Sequence, residues 1–333
     1  MVHVDTTSGN NRVGITALVP PEIIFACGKQ PCDLNNYIPN SKIYPRNKLC
    51  AWTAIWREML LKKYIEVESL IVVAGGDCHN ALVDGQKVAL TGIPTFFFFY
   101  PFDGDTEYLK TQLQKLSAFL GGIKNIKVIK KIKKLKEFGM ELDKKRILDK
   151  ISATTAFKVL ISFSDLQGSI ENFSNLLKKG YKKEPKATRI DYTSRVALIG
   201  VPPIYPDFHE VAQSFGLHIV YDELPYEFLR HSGSGASRSV ASEIEELSKS
   251  YCNYTFARNI DFRIEFIRKE LEKRKVDGII HYTQFACHHI LEDEIFRKEF
   301  DYPILTVQGD LPRSTPEQLK LRLEAFSEIL RKR

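Results

Sequence analysis

The 333-residue sequence has no apolar run near the roughly 20 residues that a membrane-spanning helix needs. Met1 to Arg12 lacks a basic start followed by an apolar stretch, so no signal peptide is read and a cytoplasmic location is expected. No glycine-rich P-loop is present, which removes the usual cradle for ATP phosphates. The six cysteines include no C-x2-C pair, so neither a zinc ribbon nor a ferredoxin-type cluster is spelled out locally. The net charge of +7 is modest and no nucleic-acid motif accompanies it, so neither nucleic acid nor a membrane is an expected partner.

What charge there is gathers in two lysine runs, Lys124 to Lys136 and Lys178 to Lys183. In the first, Ile126, Ile129, Ile132, Leu135 and Phe138 fall at helical intervals with lysines between them. The ordinary reading is an amphipathic helix with a solvated basic face. The sharper one is a docking face for an acidic or phosphate-bearing partner.

Two stretches organise the chain. Leu70-Ile-Val-Val-Ala74 runs into Gly75-Gly-Asp-Cys-His79, and Val276-Asp-Gly-Ile-Ile-His-Tyr282 runs into Gln284-Phe-Ala-Cys-His-His289. Each apolar run ends in a loop with a cysteine followed by histidine. A helix-like segment and a second strand opening on proline follow, at Pro94 and at Pro303. Cys78 to Pro94 and Cys287 to Pro303 are both sixteen positions. Further matches lie upstream: Val19-Pro-Pro-Glu22 resembles Val201-Pro-Pro-Ile204, and each leads through a helix to a glycine, Gly28 or Gly216, and a strand. The pattern predicts two α/β lobes of Rossmann or flavodoxin type, with parallel sheets, related by an internal repeat. Such sheets bind ligands at the carboxyl ends of their strands, where both thiols fall.

The expected division is a lobe over 1–105, a helical bridge or insertion over 106–190, and a second lobe over 191–333. Phe96 to Phe99 reads as a strand buried on both faces. Thr106 and Thr315 read as helix caps, and Ser232 to Ser237 as a flexible loop.

Cys50 falls in the first turn of a predicted helix, where backbone N–H groups and the helix dipole favour a thiolate. Cys50 and Cys78 in the first half are matched with Cys252 and Cys287 in the second; Cys27 and Cys32 are additional. Each alone is an ordinary core residue. If they meet, soft thiolates select iron–sulfur clusters, zinc or copper. Beside a cluster His79, His288 and His289 would donate to sulfur or move protons, with Asp77 and Gln284 behind them; away from one they are ordinary loop histidines. Asp310 ends a strand on the same side, as a functional acid or as a cap.

Taken together, Pro20-Pro-Glu-Ile-Ile-Phe-Ala-Cys-Gly28, Leu49-Cys-Ala-Trp-Thr-Ala-Ile-Trp-Arg57, Asp77-Cys-His-Asn80, Phe285-Ala-Cys-His288 and Pro303-Ile-Leu-Thr-Val-Gln-Gly-Asp310 resemble the 2-hydroxyacyl-CoA dehydratase component D and benzoyl-CoA reductase family over nearly the whole chain. The resemblance implies an iron–sulfur cluster on Cys50, Cys78 and Cys287. It also implies an ATP-hydrolysing activator with its own [4Fe-4S] cluster, and a homodimer or a heterodimer with a related subunit. The substrate would be an acyl-CoA or other small molecule, dehydrated through a ketyl radical or reduced. One branch holds a double cubane, [8Fe-9S], on six cysteines. With Cys27, Cys32 and Cys252 this chain has that number, so the double-cubane reductase is set slightly ahead of the single [4Fe-4S] enzyme. A non-catalytic electron carrier or cluster scaffold, and a metal-free two-lobed binder, are the remaining readings.

Overall fold

The computed structural model describes residues 11–75, 78–183, 192–231, 233 and 239–332. The first lobe contains β1 (Arg12–Ile15), α1 (Pro21–Ala26), β2 (Gln30–Asp33), α2 (Ala51–Leu61), β3 (Ser69–Gly75), α3 (His79–Ala89) and β4 (Thr95–Phe99). Four helices follow: α4 (Thr106–Phe119), α5 (Lys127–Ile147), α6 (Ala153–Ile161) and α7 (Ile170–Lys183). The second lobe contains β5 (Ser194–Gly200), α8 (Phe208–Ser214), β6 (Leu217–Asp222), α9 (Glu223–Glu227), α10 (Val240–Tyr251), α11 (Ile260–Arg274), β7 (Gly278–Gln284), α12 (Asp293–Glu299), β8 (Ile304–Gly309) and α13 (Glu317–Arg331).

Both sheets are parallel, and their orders match: β2-β1-β3-β4 and β6-β5-β7-β8. The register repeats as well. Leu70 N–H bonds the Pro94 carbonyl, Ile279 N–H bonds the Pro303 carbonyl, each at 2.9 Å, and the following residues pair in step. The equal cysteine-to-proline spacing is therefore the length of one strand–helix–strand crossover, used twice. The central strands β3 and β7 are apolar runs because helices cover both sheet faces.

Several expectations shift. β4 is an edge strand, so only Phe98 of its four phenylalanines is fully buried. Asp105, not Thr106, caps α4, accepting from the N–H groups of Glu107 and Tyr108. Thr315 does not cap α13; its N–H and hydroxyl donate to Asp207, and Pro316 takes the cap position. Most of the Ser232–Ser237 loop, and the side chains of 179–183, lie outside the described residues.

Helix α5 departs most from a solvated basic face. Ile129 and Ile132 are buried as the periodicity required, but so are Lys136, Asp143 and Arg146. Lys136 Nζ reaches Glu22 of α1 at 2.8 Å, the Tyr251 hydroxyl of α10 at 2.7 Å and the Arg230 carbonyl at 2.7 Å. Arg146 pairs with Asp143 and with Asp222 of β6, while Asp143 also pairs with Arg274 of α11. Gly139 sits between them, where a β-carbon would come within 2.8 Å of Leu229 and Phe163 side chains. The helix is thus bolted to α1 of the first lobe and to β6 and α11 of the second.

Two buried acids join β2 to the helical segment. Asp33 N–H donates to Asp165 Oδ2 at 2.9 Å. Burial, with the second carboxylate adding, pushes Asp33 up to about 7, and burial pushes Asp165 up to about 6.

Two outcomes are expected. Lys136→Met strands a buried carboxylate and should lower unfolding free energy by about 3–5 kcal/mol, whereas Lys136→Met with Glu22→Gln should regain most of it, read from urea midpoints. Because Asp33 and Asp165 titrate above their unfolded values, their contribution to stability is full below about pH 4 and is lost as pH rises through about 7. Asp165→Asn should therefore gain on the parent protein between pH 5 and pH 8, and an unchanged gap across that range would refute the assignment.

Candidate metal centre

In sheets of this order, the first and third strands send the chain to opposite sides, and their carboxyl ends open a crevice. The crevice strands β3 and β7 lead into Cys78 and Cys287. Cys50 arrives from elsewhere, ahead of α2, which precedes β3.

These three thiols share one local geometry: each is the residue immediately before a helix. Cys50 precedes α2, Cys78 precedes α3, and Cys287 precedes the 3-10 turn His288–Glu292, all with extended backbone. A helix start leaves its first N–H groups without intrahelical partners, and a residue placed there can offer them its side chain. Cys78 Sγ accepts from Ala81 N–H at 3.4 Å. At Cys50, burial pushes the thiol up to about 11, the N–H groups of Thr53 and Trp52 oppose this, and Cys287 adds to it. Cys50 and Cys287, one on each lobe, are thus close enough to repel as thiolates.

Direct contacts close the two lobes over this edge. Asn80 Nδ2, two residues after Cys78, donates to the Ala286 carbonyl at 3.3 Å, one residue before Cys287. Lys48, two residues before Cys50, pairs with Asp310 at 2.5 Å and lies 5.4 Å from the Phe285 ring centre. Ala286 has φ of 60°, the left-handed region, and Cys287 N–H closes the turn onto Gln284 O at 2.9 Å. An alanine there bears a steric cost that glycine does not.

The histidines divide. His289 is 3% exposed, and its Nδ1 lies 2.9 Å from Glu292 Oε1 and 3.3 Å from Arg263 Nη1. The His288 ring lies tilted against His289 with ring centres 4.1 Å apart; partial burial, then His289 and His79, hold it down at about 4. His79, the first residue of α3, is exposed. Cys287 Sγ and one ring nitrogen each of His288 and His289 lie within 4.8 Å of one another. Gln284 is buried and donates to the Asp310 carbonyl; its Oε1 has no hydrogen-bond partner among the described residues. Asp310 is half-exposed and serves as the partner of Lys48.

Glu223, Arg263 and Glu292 lie outside the sequence reading. Glu223 accepts from Gly200 N–H and from Arg263, and Arg263 also pairs with Glu292 at 2.5 Å. Arg263 draws Glu292 down to about 2, with His289 helping. Only the three-residue step from His289 to Glu292 was legible as a local signal; Arg263 comes from a different helix.

The other thiols have partners of their own. Cys27 ends α1, buried 3.9 Å from the carbonyl and hydroxyl oxygens of Ser117. Cys32 lies within β2 with Tyr37 Oη at 3.8 Å, and burial pushes it up to about 12. Cys252 ends α10 and bonds the Lys249 carbonyl at 3.2 Å. The residue that matches Cys50 in the second lobe is not Cys252. The shift in numbering that carries Cys78 onto Cys287 and Pro94 onto Pro303 carries Cys50 onto Asn259, the residue capping α11. Asp77 lies outside the described residues.

Residues 16–330 match the family model of the 2-hydroxyglutaryl-CoA dehydratase D-component. The chain belongs to this family. No curated protein matches it. Membership makes the chain a component of a dehydratase-type enzyme system, and D-component proteins imply an activator partner. The family is known for iron–sulfur clusters, and the Cys287, His288 and His289 group is a possible metal site in this D-component. The chemistry of the donors fits such a group: burial and then Cys287 raise the cost of ionising Cys50, which a nearby cation would reverse. No helix among the described residues is long and apolar enough to cross a membrane.

The Ala286 turn gives a direct test of local strain. Ala286→Gly should raise stability by about 1 kcal/mol and Ala286→Val should lower it by about 1–2 kcal/mol, measured by thermal unfolding.

Proposed function

We propose that Cys50, Cys78 and Cys287 hold one iron–sulfur cluster between the lobes, and that the chain reduces or dehydrates a small substrate there with electrons from an ATP-hydrolysing activator. The observation that carries this reading is the placement of these thiols at three helix starts, two of them after facing strand ends, tied across by Asn80–Ala286 and Lys48–Asp310. Three thiols favour a single [4Fe-4S] cluster over the double cubane, because Cys27, Cys32 and Cys252 are satisfied locally elsewhere.

When bound, such a cluster supplies single electrons at low potential. The residues around it do the rest. The N–H groups of α2 and α3 stabilise anionic sulfur. His288, neutral at pH 7, and His79 at the mouth are positioned to hold or pass a proton. Lys48 and Asp310 tie the two lobes together on one side. Beside them opens a cavity of about 490 Å³, lined by Asp310, Ile290, Tyr205, Arg313 and Arg322. Its two guanidinium groups suit an anionic substrate such as an acyl-CoA. The absence of a P-loop in the sequence fits ATP hydrolysis on a separate activator. A second subunit, identical or related, belongs to the same reading.

Anaerobic purification with iron and sulfide counts tests it. About four irons per chain are expected, and about eight would restore the double cubane. Cys50→Ser, Cys78→Ser and Cys287→Ser should each lose the cluster absorbance, while Cys27→Ala, Cys32→Ala and Cys252→Ala should keep it. A colourless, iron-free protein would sink the proposal.

A further inference from the structure

The two lysine runs are far apart in the sequence, yet they meet in the fold. Helices α5 and α7 flank a groove of about 590 Å³, with Lys131 and Lys134 on one wall and Lys178 on the other. Its floor is apolar. Ile170 and Leu177 are 7% and 5% exposed, and Leu135 and Phe138 are half-buried beside them. None of these residues belongs to the metal centre, and the proposed function does not use them.

The charge on the rim is largely uncompensated. Lys131 has Glu171 at 3.6 Å, with both side chains well exposed, and such a pair contributes little. Lys134 and Lys178 have no carboxylate partner among the described residues. Cations above an apolar floor attract a ligand that is both acidic and apolar.

Shape decides which kind. The floor side chains are recessed below the lysines, so a flat anionic bilayer would touch the cations and miss the apolar residues. A second copy of the same face would set lysine against lysine, because a two-fold contact pairs a surface with itself. A small amphiphile is held by a pocket that encloses most of its surface. Here Lys131, Lys134, Glu171 and Lys178 are all exposed along the opening. The walls run over residues 131–138 and 170–178. Each is about 12 Å long, roughly two helical turns. That length accepts the side chains of a third helix at i, i+3 or i+4, and i+7.

We propose that this groove docks an acidic amphipathic helix of a partner protein. Its apolar stripe would lie on Ile170, Leu177, Leu135 and Phe138, with flanking carboxylates on Lys131, Lys134 and Lys178. Burial of the stripe supplies affinity, while the charges set orientation and speed the encounter.

The test uses the full chain and a synthetic library of helical peptides, each roughly 15 residues long. Glutamates flank varied apolar positions at the spacing above, and binding is read by fluorescence anisotropy. Saturable one-to-one binding by members of the library is expected, weakening as salt rises. Lys134→Glu combined with Lys178→Glu should weaken the best peptide by about tenfold or more, and should instead bind the same peptide with lysines replacing its glutamates. Ser174→Phe fills the groove without altering charge and should abolish binding. Lys130→Glu, in the same run but outside the groove, should change affinity by less than about twofold. These positions are exposed or half-buried, and circular dichroism verifies that each variant is folded. Absence of saturable binding across the library overturns the proposal. So does a Lys130→Glu loss equal to that of the groove pair, or unchanged binding in folded Ser174→Phe. Phosphatidylglycerol vesicles or palmitate binding with the same pattern across the variants would also overturn it, assigning the groove to a lipid.

Discussion

Three buried charges on one helix hold the arrangement together. Lys136, Asp143 and Arg146 lie on one face of α5 and find their partners on α1 in one lobe and on β6 and α11 in the other. Burying such groups costs several kcal/mol per ion, returned only while each has its partner. A slide or rotation of one lobe against the other would strand a charge in the interior. The pairs therefore contribute little net stability but make most alternative lobe arrangements expensive. A crevice assembled from both lobes needs that restraint if its thiols are to share an ion as proposed, since a shift of an ångström would part them.

Within that frame, the helix start is the recurring device. A residue just before a helix faces unsatisfied N–H groups whichever lobe it belongs to. Cysteine there obtains a partly prepared anion site from the backbone alone. The carboxyl-edge location follows from the parallel sheets, since each strand must hand the chain to a helix at that end. Duplication of the unit doubles the number of such positions. Asn259 then limits the thiols to three, its amide serving the ordinary capping role that Cys50 has given up.

Much of this was legible because it is periodic. The repeated strand–loop–helix unit, the sixteen-residue crossover and the prolines opening β4 and β8 all fix local geometry, and they placed Cys78 and Cys287 correctly at strand ends. Cys252 matches Cys50 in residue type but not in position, since it ends a helix where Cys50 begins one. Lys136 was hidden by its neighbours, since a lysine among lysines carries no sign of burial until Glu22 and Tyr251 are brought to it. Arg263 and Glu223 were invisible for the same reason, being joined only through tertiary contact.

The electrostatics around His289 bear on why electrons would have to be driven into such a centre. Arg263 is shared by two carboxylates, Glu223 and Glu292, so this buried group carries a net negative charge. Thiolates at Cys50, Cys78 and Cys287 would add to it. In a low-dielectric crevice, one further electron is opposed by every fixed negative charge within reach, and the reduction potential falls accordingly. Helix N–H groups at the sulfurs soften this but do not cancel it, because each helix end amounts to only about half a charge. A cluster held there, as proposed, would be hard to reduce with an ordinary donor. On the proposed reading, the same negative surroundings would call for an external source of free energy, which a separate ATP-hydrolysing activator would provide.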